Sequence, residues 1–506
     1  MVQETNNRDS VRADLVTLSL IALAFVAFHT LTNGRYGFHR DELQVLDDAR
    51  HLDWGFVAYP PFTPFIERVS MLLFGNSLTW LRFFSALTQG IVVVFSGLMA
   101  HELGGKRLAQ VVAALAVAIS PLIMFEGTEF QYTSFDTLWW VLIAYFVIRL
   151  LKSENPRWWL AIGAAIGIGM QTKYAIVFFV AGLAAALLLT PARRYLKSPW
   201  IYSGAVLALL IFLPNLIWQI RHHFISLDFL KHIHTRDVGE GRATGFLKYQ
   251  FLACTNVMTV PIWLAGFYFY FFKSEGKRYR VLGWMYAITF AIFFVAKGRF
   301  YYVAAAYPML FAAGAVMEER WIASLSRGWS RTVRITTFAA LTIGLAISVA
   351  FAIPLQPLDS PHNFAIIHNE DLREEVGWQE LVREVSRVRD SLSPAERANF
   401  AILAANYGEV GAINLYGASY GLPQAISGVN SVWQRGYGNP PPQTLIVLGL
   451  WRKFVEENFY SCKVAGHETN PYGILNEETR EHPDIYVCGP PKDGWEVWWR
   501  DFHYFG

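Results

Sequence analysis

Two adjacent carboxylates, Asp41 and Glu42, stand in the run Phe38-His39-Arg40-Asp41-Glu42, a few residues past the first long apolar stretch. A carboxylate in such a place can accept the proton of an attacking hydroxyl or amine. Neighbours on a helix point about 100° apart, so the two do not form a proton-sharing pair; one can enter a cleft while the other caps or pairs. A solvated acidic pair opening a surface helix is the plainer alternative. Asp136 lies at the boundary of a later apolar run, where an ionisable group is costly and functional by default; N-capping by Ser134 or Asp136 is the rival. The cations are as uneven. Lys173 sits between two apolar runs, where snorkelling alone would explain it. Residues 221–248 hold Arg221, Lys231, Arg236, Arg242 and Lys248 with four histidines, against Asp228, Asp237 and Glu240, and Lys297 and Arg299 lead into Phe300-Tyr301-Tyr302. Such cations can hold a lipid phosphate and stabilise it as a leaving group. Carboxylate and cations together suit transfer of a group from a lipid phosphate to an acceptor, with no nucleotide needed. His232 and His234 lack a convincing third ligand and read as a surface pair, so no metal site is assigned and a divalent ion stays an unsupported option.

The elements that must position these residues are membrane helices. Of 506 residues, 54% are hydrophobic and 16% charged, against a usual charged share of about 25%. That is too little charge to cover a soluble chain of this size, which excludes a nucleic-acid binder, a disordered scaffold and an ordinary cytosolic enzyme. Apolar runs at 13–31, 79–100, 108–125, 136–151, 158–171, 174–190, 200–219, 250–272, 281–296, 300–317 and 333–354 predict about eleven transmembrane helices. Lys and Arg concentrate in every second connection: the N-terminus with Arg8 and Arg12, Lys106-Arg107, 149–157, Arg193 to Lys197, 273–280 and 320–334. By the positive-inside rule this puts the N-terminus in the cytoplasm and the C-terminus outside. The 33 residues 158–190 would make one helix of about 50 Å, too long for a single crossing, and so predict a tight hairpin with Lys173 at its outer turn. The basic segment 221–248 then lies outside, against the trend.

From Pro354 the pattern becomes that of a soluble domain, which divides the chain into a membrane domain (1–354, with outer loops 32–78 and 221–248) and an extracytoplasmic domain (355–506). Residues 374–392 carry apolar positions at helical spacing, and 399–405, 444–450 and 484–488 read as strands, so the C-terminal part is a small α/β domain. The fold class is thus mainly α, a polytopic helical membrane protein with a C-terminal soluble α/β domain. Cys462 and Cys488 both fall in that domain, and either a bridge or two buried thiols fits them. No P-loop, strand-linked GxGxxG, HExxH or GxSxG motif is present.

In order along the chain, Asp41-Glu42, Tyr59-Pro60-Pro61-Phe62, Asp136, Thr172-Lys173 and the run Arg299, Tyr301, Tyr302, Tyr307-Pro308 make the sequence resemble the membrane-embedded GT-C glycosyltransferases of family 39 type. That family includes protein O-mannosyltransferases, the bacterial aminoarabinose-to-lipid-A transferase and the rhizobial lipopolysaccharide galacturonosyltransferases. The resemblance implies a polyprenyl-phosphate-linked sugar as donor, a lipid, glycan or protein acceptor, and an active site at the outer face of the plasma membrane. It implies Asp41 as catalytic base, in-line attack with inversion, and Lys173 with Arg299 on the donor phosphate. Many bacterial relatives have Lys before the Pro-Pro where this chain has Tyr59; basic residues of the 221–248 loop, such as Arg236 and Arg242, are the expected substitutes, and Lys297 is counted with Arg299 among the donor-phosphate cations. Two other classes compete: a transporter or flippase of an anionic lipid-linked substrate, and a membrane-anchored glycan-binding assembly protein.

Overall fold

The computed structural model describes residues 2–506, with side chains from residue 14 onward, so the N-terminal Arg8 and Arg12 lie outside the described side chains. All eleven apolar runs are helical. Six helices are long and apolar enough to cross a membrane: Asp14–Thr32, Leu78–Glu102, Tyr132–Ser153, Pro199–Arg221, Phe300–Ser324 and Arg327–Ala352. Two further pairs, Ile176–Leu188 with Pro191–Lys197 and Phe246–Cys254 with Val257–Phe272, bend by 104° and 90° and bring the number to eight if each is one span. The other runs are shorter. Arg107–Ala118 and Trp158–Met170 have 12 and 13 residues, about 20 Å at 1.5 Å per residue, against a hydrocarbon core of about 30 Å. Breaks explain the shortening: Ser120-Pro121 interrupts one run, and the turn 171–175 separates the helices Trp158–Met170 and Ile176–Leu188.

By their contacts the residues group into two compact units. The first comprises Met1–Asn33, Thr79–His222 and His234–Ile353, and the second Gly34–Leu78, His223–Ile233 and Pro354–Gly506. The grouping differs from a linear division at residue 354, because the first loop packs with C-terminal residues. Within the first unit, helices approach closely where glycine removes the side chain. A Cβ at Gly163 would stand 2.1 Å from the Gly204 carbonyl oxygen, and one at Gly314 would stand 1.7 Å from that of Ile262. Small residues at crossings let membrane helices gain dispersion contacts that lipid cannot outcompete. Between these crossings the indole of Trp140, fully buried, stacks on Phe179 at 4.2 Å.

The second unit is built on a five-stranded sheet, β1 (Phe400–Ala404), β2 (Ala425–Ile426), β3 (Thr444–Leu448), β4 (Lys463–His467) and β5 (Asp484–Cys488), in the order β2-β1-β3-β5-β4. β2, β1 and β3 are parallel, with Ile402 opposite Ile446; β5 runs antiparallel to β3 and β4. The central strands are buried throughout, as expected for a sheet covered on both faces. Trp495, Trp498, Trp499 and Phe502 pack on Leu403, Leu445 and Val447. The amphipathic helix Trp378–Asp390 buries Leu381, Val382, Val385 and Val388. Cys462 and Cys488 are bridged, which ties the start of β4 to the end of β5.

Candidate active site

In the first unit the cationic residues converge. The turn 171–175 is pinned on both sides: Trp139 Nε1 donates to Thr172 Oγ1 at 2.9 Å, Gln171 Nε2 donates to the Ile211 carbonyl at 2.7 Å, and Tyr174 Oη donates to Asn215 Oδ1 at 3.0 Å. This holds the Lys173 ammonium among three rings, 5.1 Å from the centroid of Tyr132, 5.6 Å from Tyr301 and 4.7 Å from Tyr302. Ring faces carry negative charge density and attract a cation, so Lys173 has a built cradle rather than a snorkelling path. Its charged neighbours are Asp136, Glu126 and Arg299. Asp136 is buried and accepts from Trp140 Nε1 at 3.1 Å. It does not cap its helix: the N-cap position is Gln131, with no side-chain cap, and Ser134 donates to the carbonyls of Glu126 and Glu129. Glu126 accepts from Gln89 Nε2 at 3.1 Å and from Thr137 Oγ1 at 2.9 Å.

Arg299 reaches Asp237 through two bonds, Nε to Oδ2 at 2.6 Å and Nη2 to Oδ1 at 2.9 Å, and donates from Nη1 to the Tyr301 hydroxyl at 3.0 Å. Arg236 and Arg242 each approach the same Asp237 carboxylate at 3.7 Å. Arg242 also pairs with Glu240 at 2.8 Å, so three arginines face two carboxylates and leave an excess of one positive charge, joined through Tyr301 to the Lys173 cradle. Of the cations expected at a phosphate, Lys173, Arg236, Arg242 and Arg299 therefore form one cluster. Lys297 does not join it: its side chain is exposed on a turn with φ of 52° and, among the described residues, makes no ion pair. Sequence reasoning underrated Asp237, whose signal was its position as one of three acids in a basic stretch, directly next to Arg236.

The second unit holds the carboxylate pair, and the pair splits as the helical spacing requires. The helix Arg40–Arg50 opens with a capping box on His39. The His39 Nδ1 accepts from the Asp41 amide at 3.2 Å, and the Glu42 carboxylate accepts from the His39 amide at 2.8 Å. Glu42, taken with Asp41 as a candidate catalytic carboxylate, is fully buried and serves as the cap of this helix. Asp41 is half-buried, and its Oδ1 accepts from the Tyr407 hydroxyl at 2.8 Å. Tyr59 is buried too, its hydroxyl donating to Asp48 Oδ2 at 2.7 Å, so its tie is to the base of this helix rather than to a ligand surface. Arg435 pairs with both Asp47 and Asp48, the latter at 3.0 Å, and Asn414 Nδ2 donates to Asp47 at 2.7 Å.

Beside this helix the unit buries Glu409, Glu468 and Glu478. Burial pushes the Glu468 carboxyl up to about 8, helped by the nearby charges of Glu409 and Glu374, and pushes Glu409 up to about 7. An acid whose folded-state value is raised binds its proton more tightly folded than unfolded, so its contribution to stability is present at low pH and lost as pH rises. The melting temperature of the full-length chain in detergent is expected to fall between pH 4.5, the ordinary value for Glu, and about 8. Glu468→Gln should flatten that fall, and an unchanged pH dependence would remove Glu468 as its source.

The chain is similar in sequence and in fold to several known proteins. The profile described as dolichyl-phosphate-mannose-protein mannosyltransferase matches residues 58–218. The lipid A galacturonosyltransferase RgtD of Rhizobium johnstonii is 29% identical over 234 residues, which is 45% of this chain and 47% of that protein. An undecaprenyl phosphate-alpha-4-amino-4-deoxy-L-arabinose arabinosyl transferase of Pseudomonas fluorescens is 23% identical over 56% of this chain and 50% of its own length. The chain thus spans about half the length of these relatives. In fold, the crystal structure of ArnT from Cupriavidus metallidurans bound to undecaprenyl phosphate superimposes with a TM-score of 0.57 at 15% identity, covering 94% of this chain and 97% of that one.

Proposed function

We propose that this chain, a multi-pass membrane protein with the GT-C fold, is a glycosyltransferase that moves a sugar from a polyprenyl-phosphate-linked donor to a lipid, glycan or protein acceptor at the outer face of the inner membrane. The observation that carries the reading is the Lys173 cradle joined to the arginines around Asp237. Such a cluster suits a phosphate monoanion or diester far better than a neutral ligand, and fixed cations act on the charge that grows on a departing phosphate. The named relatives are transferases of galacturonic acid and aminoarabinose, and the structural neighbour holds undecaprenyl phosphate.

In this reading the acceptor hydroxyl gives its proton to the Asp41 carboxylate while its oxygen attacks the anomeric carbon. The bond from that carbon to the phosphate oxygen breaks, the configuration inverts, and polyprenyl phosphate leaves with its charge held by Lys173, Arg299, Arg236 and Arg242. Asp136 and Glu126, adjacent to Lys173, are assigned to keeping the ammonium placed and charged. The N-terminus is assigned to the cytoplasm and the α/β domain to the outside, where the Cys462–Cys488 bridge would be stable.

The test is reconstitution of the full chain in liposomes with undecaprenyl-phosphate-linked aminoarabinose or galacturonic acid and lipid A, with mass spectrometry of lipids and glycans from cells with and without the gene. Glycosylated acceptor and free undecaprenyl phosphate in equal amounts are expected. Translocation of the donor across the bilayer without any sugar transfer would replace the reading with that of a flippase.

A further inference from the structure

The contact between Tyr407 and Asp41 joins residues 366 positions apart. Tyr407 opens the helix Tyr407–Tyr416 directly after β1, and its backbone is held in place by a capping box in which Asn406 accepts from the Gly408 amide at 2.7 Å and Glu409 accepts from the Asn406 amide at 2.9 Å. The helix lies against the Arg40–Arg50 helix with no room between them. A Cβ at Gly411 would come 2.4 Å from the Leu43 carbonyl oxygen, and one at Gly408 would meet the Arg40 side chain at 2.8 Å. The far end is tied as well, with Arg50 Nη1 donating to the Asn414 carbonyl at 2.5 Å. Arg40 itself is engaged: it pairs with Glu477, approaches Glu374 at 4.0 Å and lies 6.0 Å over the Tyr407 ring. Burial pushes the Tyr407 hydroxyl up, so it stays protonated and offers a fixed donor.

We propose that Tyr407 is a positioning residue for the proposed base: its hydroxyl, carried by the C-terminal domain, holds the Asp41 carboxylate in the rotamer that receives the acceptor proton. This rests on the reading of Asp41 as the base. A carboxylate with one oxygen engaged keeps the other turned to a set direction, which is the orientation a proton acceptor needs. The domain is then part of the catalytic apparatus through one side chain, with no ligand of its own required. Within their unit the charged and titratable groups that share the surroundings of Asp41 are His39, Arg40, Tyr59 and Asp371, besides Tyr407.

The experiment compares Tyr407→Phe, Asp41→Asn and the exposed-site control Tyr420→Phe in the full chain, with two readouts. The first is steady-state transfer from undecaprenyl-phosphate-linked aminoarabinose or galacturonic acid. The second needs no turnover: the rate of carbodiimide labelling of Asp41 at one fixed pH, read by peptide mass spectrometry, since the reagent reports how the carboxyl is held and presented. Tyr407→Phe is expected to lower kcat about tenfold, the scale of one hydrogen bond to a charged group, with KM for the donor unchanged. It should also change the rate of Asp41 labelling, because the carboxylate is no longer held in one rotamer, while Tyr420→Phe leaves that rate as in the parent. If Tyr407→Phe matches the parent in labelling, the inference is overturned even where Asp41→Asn abolishes transfer. If Asp41→Asn retains transfer, the reading of Asp41 as base fails instead, and a changed labelling rate in Tyr407→Phe would then report a contact without a catalytic use.

Discussion

Asp41→Asn is expected to reduce kcat by about 10²- to 10⁴-fold, the range typical of removing a positioned general base. The substitution is close to isosteric, and the amide oxygen can still accept from Tyr407, so the helix cap on His39 and Glu42 and the packing against the Tyr407–Tyr416 helix are retained. Donor affinity should stay within about twofold, because the proposed phosphate contacts are made by Lys173 and the arginines. A kcat within about tenfold of the parent would sink the assignment of the base. Glu42→Gln provides the contrast. It weakens a capping box, with a cost to stability of about 1 kcal/mol, and should leave the chemical step largely intact.

Lys173→Met is the second large effect. Methionine fills the space of the lysine stem and leaves the three tyrosine rings without their cation, so the loss falls on charge rather than packing. Transfer efficiency, kcat/KM, should drop by about 10²- to 10³-fold, the scale of removing one fixed donor to a developing anion. Binding of undecaprenyl phosphate alone, measured by native mass spectrometry, should weaken in parallel. Lys173→Arg is not expected to rescue, since a planar guanidinium does not fit a cradle shaped for a compact ammonium. Normal donor binding in both variants would place the phosphate elsewhere than this cluster.

How far the sequence led can be judged residue by residue. The split of Asp41 from Glu42 was legible, because helical geometry alone forbids adjacent residues from sharing a face. The break at Lys173 was legible from length, since 33 residues are too many for one crossing. The tyrosine cradle was not: Tyr132, Tyr301 and Tyr302 come from segments separated by up to 170 positions, and no local pattern reports which rings meet one lysine. In the α/β domain β1, β3 and β5 announced themselves as apolar runs, while β2 has two residues and β4 is mostly exposed, so neither carries a hydrophobic signature. The helix Arg40–Arg50 was expected to belong with the membrane helices that precede it. Its partners are Asn414, Arg435 and Tyr407, and contacts across such separations leave no trace in local composition.

The second unit is assembled from three stretches of chain that do not adjoin, Gly34–Leu78, His223–Ile233 and Pro354–Gly506. Synthesis runs from one end, so the helix bearing Asp41 emerges among the first segments and waits for more than three hundred residues before its partners exist. A nonsense mutation late in the gene would therefore be as severe as one near its start, and removing residues 360–506 cannot serve as a test of a dispensable module. Complementation should instead be attempted by co-expressing the missing stretch as a separate polypeptide, and restored activity would show that the three stretches can assemble without a continuous chain.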